Sequence, residues 1–96
     1  MNKVRVIARF VAKAGKEAEL RQLLQGLVAP THAEAGCEIY DLYESDIPGR
    51  FYFYELWTTK ESLDAHLSAP HLEHLKSVIG DLVAEPLEVN LVKALP

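Results

Sequence analysis

The segment CEIYDLYESDIPGRFYFYELWT, residues 37–58, decides the fold. Cys37 to Ser45 alternates as a strand does, with Tyr40 and Leu42 on one face and Ile39 and Tyr43 on the other. Asp46-Ile47-Pro48-Gly49 is turn chemistry: proline presets φ and glycine tolerates positive φ. Arg50 to Thr58 is a second alternating run, so the segment reads as a β-hairpin. In the second run Tyr52, Tyr54 and Leu56 alternate with Phe51, Phe53 and Trp57. Glu55 lies in phase with Phe53 and Trp57.

Outward from the hairpin, Lys3 to Val11 reads as a strand and Ala14-Gly15-Lys16 ends it. Leu20, Leu23, Leu24, Leu27 and Val28 then form the apolar stripe of an amphipathic helix. Pro30 is expected to interrupt this helix, Thr31 to Ala35 to add a further turn, and Gly36 to end the segment. On the other side, Thr59 caps a helix over Lys60 to Leu67. Ser68 can cap the next helix, whose first turn holds Pro70 and whose stripe is Leu72, Leu75, Ile79 and Leu82. Pro86 opens a last strand, Leu87 to Lys93, with Leu87, Val89 and Leu91 on one face. The order β-α-β-β-α-β predicts an α+β, ferredoxin-like domain with an antiparallel sheet, spanning residues 1–96. The strands are apolar on both sides, so the face without helices is expected to pack on a second copy of the chain, as a homodimer.

Composition narrows the function. At 49% hydrophobic and 25% charged the chain is ordinary for a globular domain, and disorder is not expected. Net charge is −4, and its lysines and arginines are scattered, which disfavours nucleic-acid binding. A single cysteine, Cys37, excludes an internal disulfide and offers no thiolate zinc cluster. No apolar run approaches the roughly 20 residues of a membrane span. The N-terminus enters a strand pattern at once, without a signal-like apolar region, so a reduced, cytoplasmic compartment is expected. No phosphate-binding loop, nucleophile elbow or dinucleotide fingerprint is present, so nucleotide, flavin and nicotinamide cofactors have no support.

The candidate site lies between Tyr54 and Leu72. A carboxylate in the middle of an aromatic strand is paired or faces a cavity. Glu55 is thus a general base, a group orienting a histidine, or half of a buried ion pair with Arg5 or Arg9. Trp57 can stack on an aromatic substrate or serve as core, and Phe53 and Tyr40 are candidates for the same pocket wall. His66 lies near the buried face of its helix, and His71 lies at a helix N-terminus, which favours a neutral imidazole able to accept a proton. Either histidine can be the base, or a hydrogen-bonded core residue and a cap respectively. The spacing of His66, His71 and His74, H-x4-H-x2-H, fits no standard zinc pattern, and no metal site is expected. Together these groups suggest proton chemistry on a flat, aromatic small molecule.

The chain resembles the antibiotic biosynthesis monooxygenase family over nearly its whole length, and its quinol-monooxygenase-like branch in particular. The resemblance is carried by Ala14-Gly15-Lys16, Ala35-Gly36-Cys37-x-x-Tyr40, Pro48-Gly49-Arg50-Phe51, Glu55-x-Trp57 and Leu63-x-x-His66-x-Ser68-x-Pro70-His71. It implies a dimeric α/β barrel of two ferredoxin-like domains, each with a pocket between sheet and helices. It also implies an oxygenase with no metal or organic cofactor, acting on a small quinol or phenol with O2. In such an enzyme His66 or His71 takes the phenolic proton, Glu55 holds a histidine or the pocket together, and Trp57 stacks on the ring. Haem-degrading relatives carry Asn near the position of Ala8, so haem is not expected. A branch processing a phosphorylated sugar derivative shares the Glu and His pattern. The same framework therefore admits an isomerase or degradative enzyme working by enolisation, and a non-catalytic dimeric small-molecule-binding module.

Overall fold

The computed structural model describes residues 2–96. The elements are β1 (Val4–Val11), α1 (Glu17–Gln25), α2 (Val28–His32), β2 (Cys37–Glu44), β3 (Arg50–Trp57), α3 (Lys60–Leu67), α4 (Pro70–Val78) with a terminal 3-10 turn, and β4 (Glu88–Val92). The four strands form one sheet in the order β2-β3-β1-β4, antiparallel throughout. This is the ferredoxin-like arrangement expected of the chain.

The hairpin forms as its turn residues require. The Ser45 amide donates to the Arg50 carbonyl across the turn at 2.9 Å, and Gly49 sits at φ +82°, where a side chain would be strained. The core face of β3 is Phe51, Phe53, Glu55 and Trp57, and the intervening residues are only half-buried. The helices cover that face, and α1 buries Leu20 and Leu24 completely. Each such leucine contributes roughly 1.5–3 kcal/mol through removal of apolar surface from water. Ile7, Tyr52, Tyr54 and Leu56 are turned to the opposite face and remain partly or largely accessible.

The first helical segment breaks one turn earlier than expected. α1 ends at Gln25, the chain turns at Gly26 and Leu27, and Pro30 lies inside α2. Proline in a first turn forfeits no hydrogen bond, but its ring clashes with the carbonyl four residues back. For Pro30 that residue is Gly26, so the continuous helix fails there.

Candidate active site

The sheet supplies one wall of a cavity of about 480 Å³. In cross-strand register, Tyr40 lies opposite Glu55, Glu55 opposite Val6, and Val6 opposite Leu91. The neighbouring row places Leu42, Phe53, Ala8 and Val89 side by side. Glu55 therefore lies mid-sheet among apolar neighbours. Tyr40 stacks on Phe53 at 4.4 Å between centroids, and Phe10 meets Phe53 edge-on at 6.0 Å. Leu63 and His66 of α3, and Leu72 and Leu75 of α4, form the opposite wall. Val89 and Leu91 of β4 line the cavity yet stay half-exposed, so it opens along that edge. Lys76 stands at the rim, its ammonium donating to the Leu67 carbonyl at the end of α3.

Tyr40, Phe53, Glu55 and His66 line the cavity, while Trp57 and His71 do not. Trp57 is completely buried behind the wall. Its indole N–H donates to Glu55 Oε1 at 2.9 Å, and its ring lies 4.6 Å from that of His66. The expected role of Trp57 as a stacking surface for substrate is therefore corrected: it supports the two polar groups from behind. Glu55 is also corrected in its partner, which is neither Arg5 nor Arg9 nor a histidine. Arg5 donates to the Tyr54 hydroxyl and Arg9 pairs with Glu85.

Glu34, which the sequence did not single out, holds the histidines. Its Oε2 lies 2.8 Å from His66 Nδ1 and 2.7 Å from His71 Nε2. His71 Nε2 is also 3.1 Å from the Thr31 hydroxyl. The loop carrying Glu34 is fixed by Gly36. That residue sits at φ +84°, and an added Cβ would lie 2.5 Å from the Ser62 Cβ. The Gly36 carbonyl accepts from the Thr58 amide at 2.8 Å. Ser62 in turn belongs to a capping box with Thr59 at the start of α3. A carboxylate just before a glycine-pinned turn was the available signal, though its partners lie 32 and 37 residues away.

The electrostatics follow from burial. Loss of water raises the Glu55 carboxyl to about 7, opposed by the Trp57 hydrogen bond and helped by the nearby charge of Glu34. Burial holds the His66 imidazole below its ordinary value, with Glu34 pulling the other way. Tyr40 is pushed well above the usual phenol range, chiefly by burial and then by Glu55, so its hydroxyl stays protonated.

No buried side-chain nitrogen or oxygen among the described residues lacks a partner. Among the described residues, His66 Nε2 and Glu55 Oε2 have no hydrogen-bond partner, and both residues line the cavity. A neutral His66 that donates from Nδ1 to Glu34 carries its lone pair on Nε2. The site thus brings an accepting nitrogen and a carboxyl that titrates near neutrality to one apolar, aromatic-walled space. Among the described residues, Glu34, His66 and His71 are also a group of potential metal ligands, with ligand atoms within 4.8 Å of one another. The fold supplies Glu34 as the third member, whereas His74 is exposed.

Comparison with known proteins agrees with this architecture. Residues 3–77 match the family described as antibiotic biosynthesis monooxygenase. Rv0793 of Mycobacterium tuberculosis, which bears a provisional monooxygenase name, is 37% identical over 92 residues, spanning 96% of this chain and 91% of its own. Its solved structure superposes with a TM-score of 0.93 over 99% of this chain and 97% of that one. PA3566 of Pseudomonas aeruginosa is 28% identical, with a TM-score of 0.93 over 100% and 97% of the two chains. A solved antibiotic biosynthesis monooxygenase is 31% identical, with a TM-score of 0.89 over 97% and 99%. No helix among the described residues is long and apolar enough to cross a membrane. By sequence over three-quarters of its length and by fold over all but a residue or two, the chain belongs to the antibiotic biosynthesis monooxygenase family.

Proposed function

We propose that the chain is a monooxygenase of small quinols or phenols, with His66 as the base. The observation that carries this reading is that His66 is anchored through Nδ1 to Glu34 while the residue lines an apolar cavity beside Glu55. The substrate ring lies against Tyr40 and Phe53, and its hydroxyl proton passes to His66 Nε2. The resulting anion gives one electron to O2. The phenoxyl radical and superoxide recombine at a ring carbon, the His66 proton passes to the resulting peroxide, and loss of water with the ring hydrogen leaves the quinone. The electrons come from the substrate itself, so the reading asks for no cofactor. Glu55, with a proton to give or take near neutrality, hydrogen-bonds the developing oxygen anion or peroxide. His71 supports the arrangement through Glu34 and does not touch substrate.

The same reading makes the protein a cytoplasmic homodimer joined through the open face of the sheet, where Ile7, Tyr54 and Leu56 would be covered. Sedimentation should then give about twice the monomer mass of 10.7 kDa. Oxygen uptake over a panel of hydroquinones tests the activity. Uptake that disappears in H66A supports the assignment. Proton exchange into carbonyl substrates without O2 uptake would move the protein to enolisation chemistry, and binding without turnover would make it a carrier.

A further inference from the structure

We propose that Glu34, His66 and His71 bind a divalent transition-metal ion, and that the bound ion switches off the proton acceptor at His66. The second half rests on the oxygenase reading above; the first does not. Two imidazoles and one carboxylate are a ligand set suited to zinc, cobalt or iron(II). All three ligand atoms converge, with Glu34 Oε2 at 2.8 Å from His66 Nδ1 and 2.7 Å from His71 Nε2. A tetrahedral ion with bonds of about 2.0–2.1 Å holds its ligand atoms roughly 3.3 Å apart. Both contacts therefore need to open by about half an ångström on binding, with the partly exposed Glu34 and His71 moving against a fixed His66.

Access favours the site. The side chains of Glu34 and His71 are 16% and 20% exposed, whereas that of His66 is 2% exposed. An ion can enter between the first two and meet His66 as the inner ligand. The Thr31 hydroxyl, beside His71 Nε2, offers a neutral oxygen at the edge of the group. His74 takes no part, because it is exposed on α4 and outside the cluster.

The switch follows from the tautomer. Without metal, the His66 Nδ1–H donates to Glu34 and Nε2 holds the lone pair. With metal on Nδ1, that proton moves to Nε2: one N–H bond breaks, another forms, and no electron is transferred. Nε2 then donates toward the cavity and can no longer accept a phenolic proton.

Titration of the intact protein with cobalt(II) chloride, followed by visible absorption, and with zinc chloride, followed by calorimetry and thermal melting, tests the site. One equivalent is expected, with the absorption of low-symmetry cobalt and a raised melting temperature under zinc. E34Q and H71A should each lose the response, and H74A should keep it. Because His71 is partly exposed, H71A serves if E34Q fails to fold. Nitrogen-15 correlation spectra of the imidazoles should show the His66 proton moving from Nδ1 to Nε2 on zinc addition. Absence of binding, or binding unchanged in H71A, would overturn the site. A site confirmed with Nδ1 still protonated would overturn the switch. Neither readout requires turnover, so failure of the oxygenase reading leaves this test standing.

Discussion

Glu34 and Glu55 are the same residue type on opposite sides of one small site, and their surroundings give them different work. Glu55 lies mid-strand, almost fully buried, with a neutral indole as its hydrogen-bond donor. Desolvation governs it, and its carboxyl titrates near neutrality. Glu34 lies on a loop and meets two imidazoles through one oxygen. It acts by placing others. The contrast teaches that a carboxylate's role follows from its partners: the sheet side supplies a group that can hold a proton, and the loop side supplies the group that positions two histidines.

The contrast is tested most severely at the proposed base, His66. H66A is expected to lower hydroquinone-dependent O2 uptake by about 10²–10⁴-fold, the usual range for a general base. H71A, which leaves the base in place, should lose far less. Equal losses in steady-state assays would place both histidines in the same role.

Next comes the pH dependence of stability. The folded-state value of Glu55 is raised to about 7, so its share of stability is greatest in acid and is lost as pH rises through 7. The stability of E55Q relative to wild type should grow by up to about 3 kcal/mol from about pH 4 to about pH 8. His66 has the opposite sign: its value is lowered, so its share is lost as pH falls. Denaturant titrations of E55Q should therefore show a steeper loss on acidification than wild type. A parallel pair of curves would mean that Glu55 is ionised in the folded protein like any surface carboxylate.

The loop side is tested through its hinge. G36A places a side chain at positive φ and against Ser62, and should destabilise by about 1–3 kcal/mol. It should also weaken the Glu34 contacts, visible as altered imidazole nitrogen shifts for His66. The smallest effect is expected of T59A, which removes the capping box of α3 at a cost of about 1 kcal/mol in thermal or denaturant unfolding.

The sheet side was legible in the sequence because period-two alternation fixes which residues share a face. Phe53, Glu55 and Trp57 were correctly placed in phase, and Thr59 and Pro70 correctly marked helix starts. Phase does not encode depth, however, and Trp57 proved to be sealed rather than on the cavity wall. Glu34 was harder to read because no periodicity governs a loop: its one signal was its place just before Gly36, and its partners are joined to it only by the folded chain. The helix break was misplaced by a turn because proline acts on the carbonyl behind it, at Gly26, rather than at its own position.

The tie at Gly36 has a mechanical consequence. The loop holding Glu34 is fastened to Thr58 and abuts Ser62, and His66 follows Ser62 by about one helical turn. His66 and Glu34 thus share a short bracket at the β2–β3 side of the sheet, across from the open β4 edge of the cavity. Their spacing is set by contacts local to that bracket, and not by the edge through which the cavity opens.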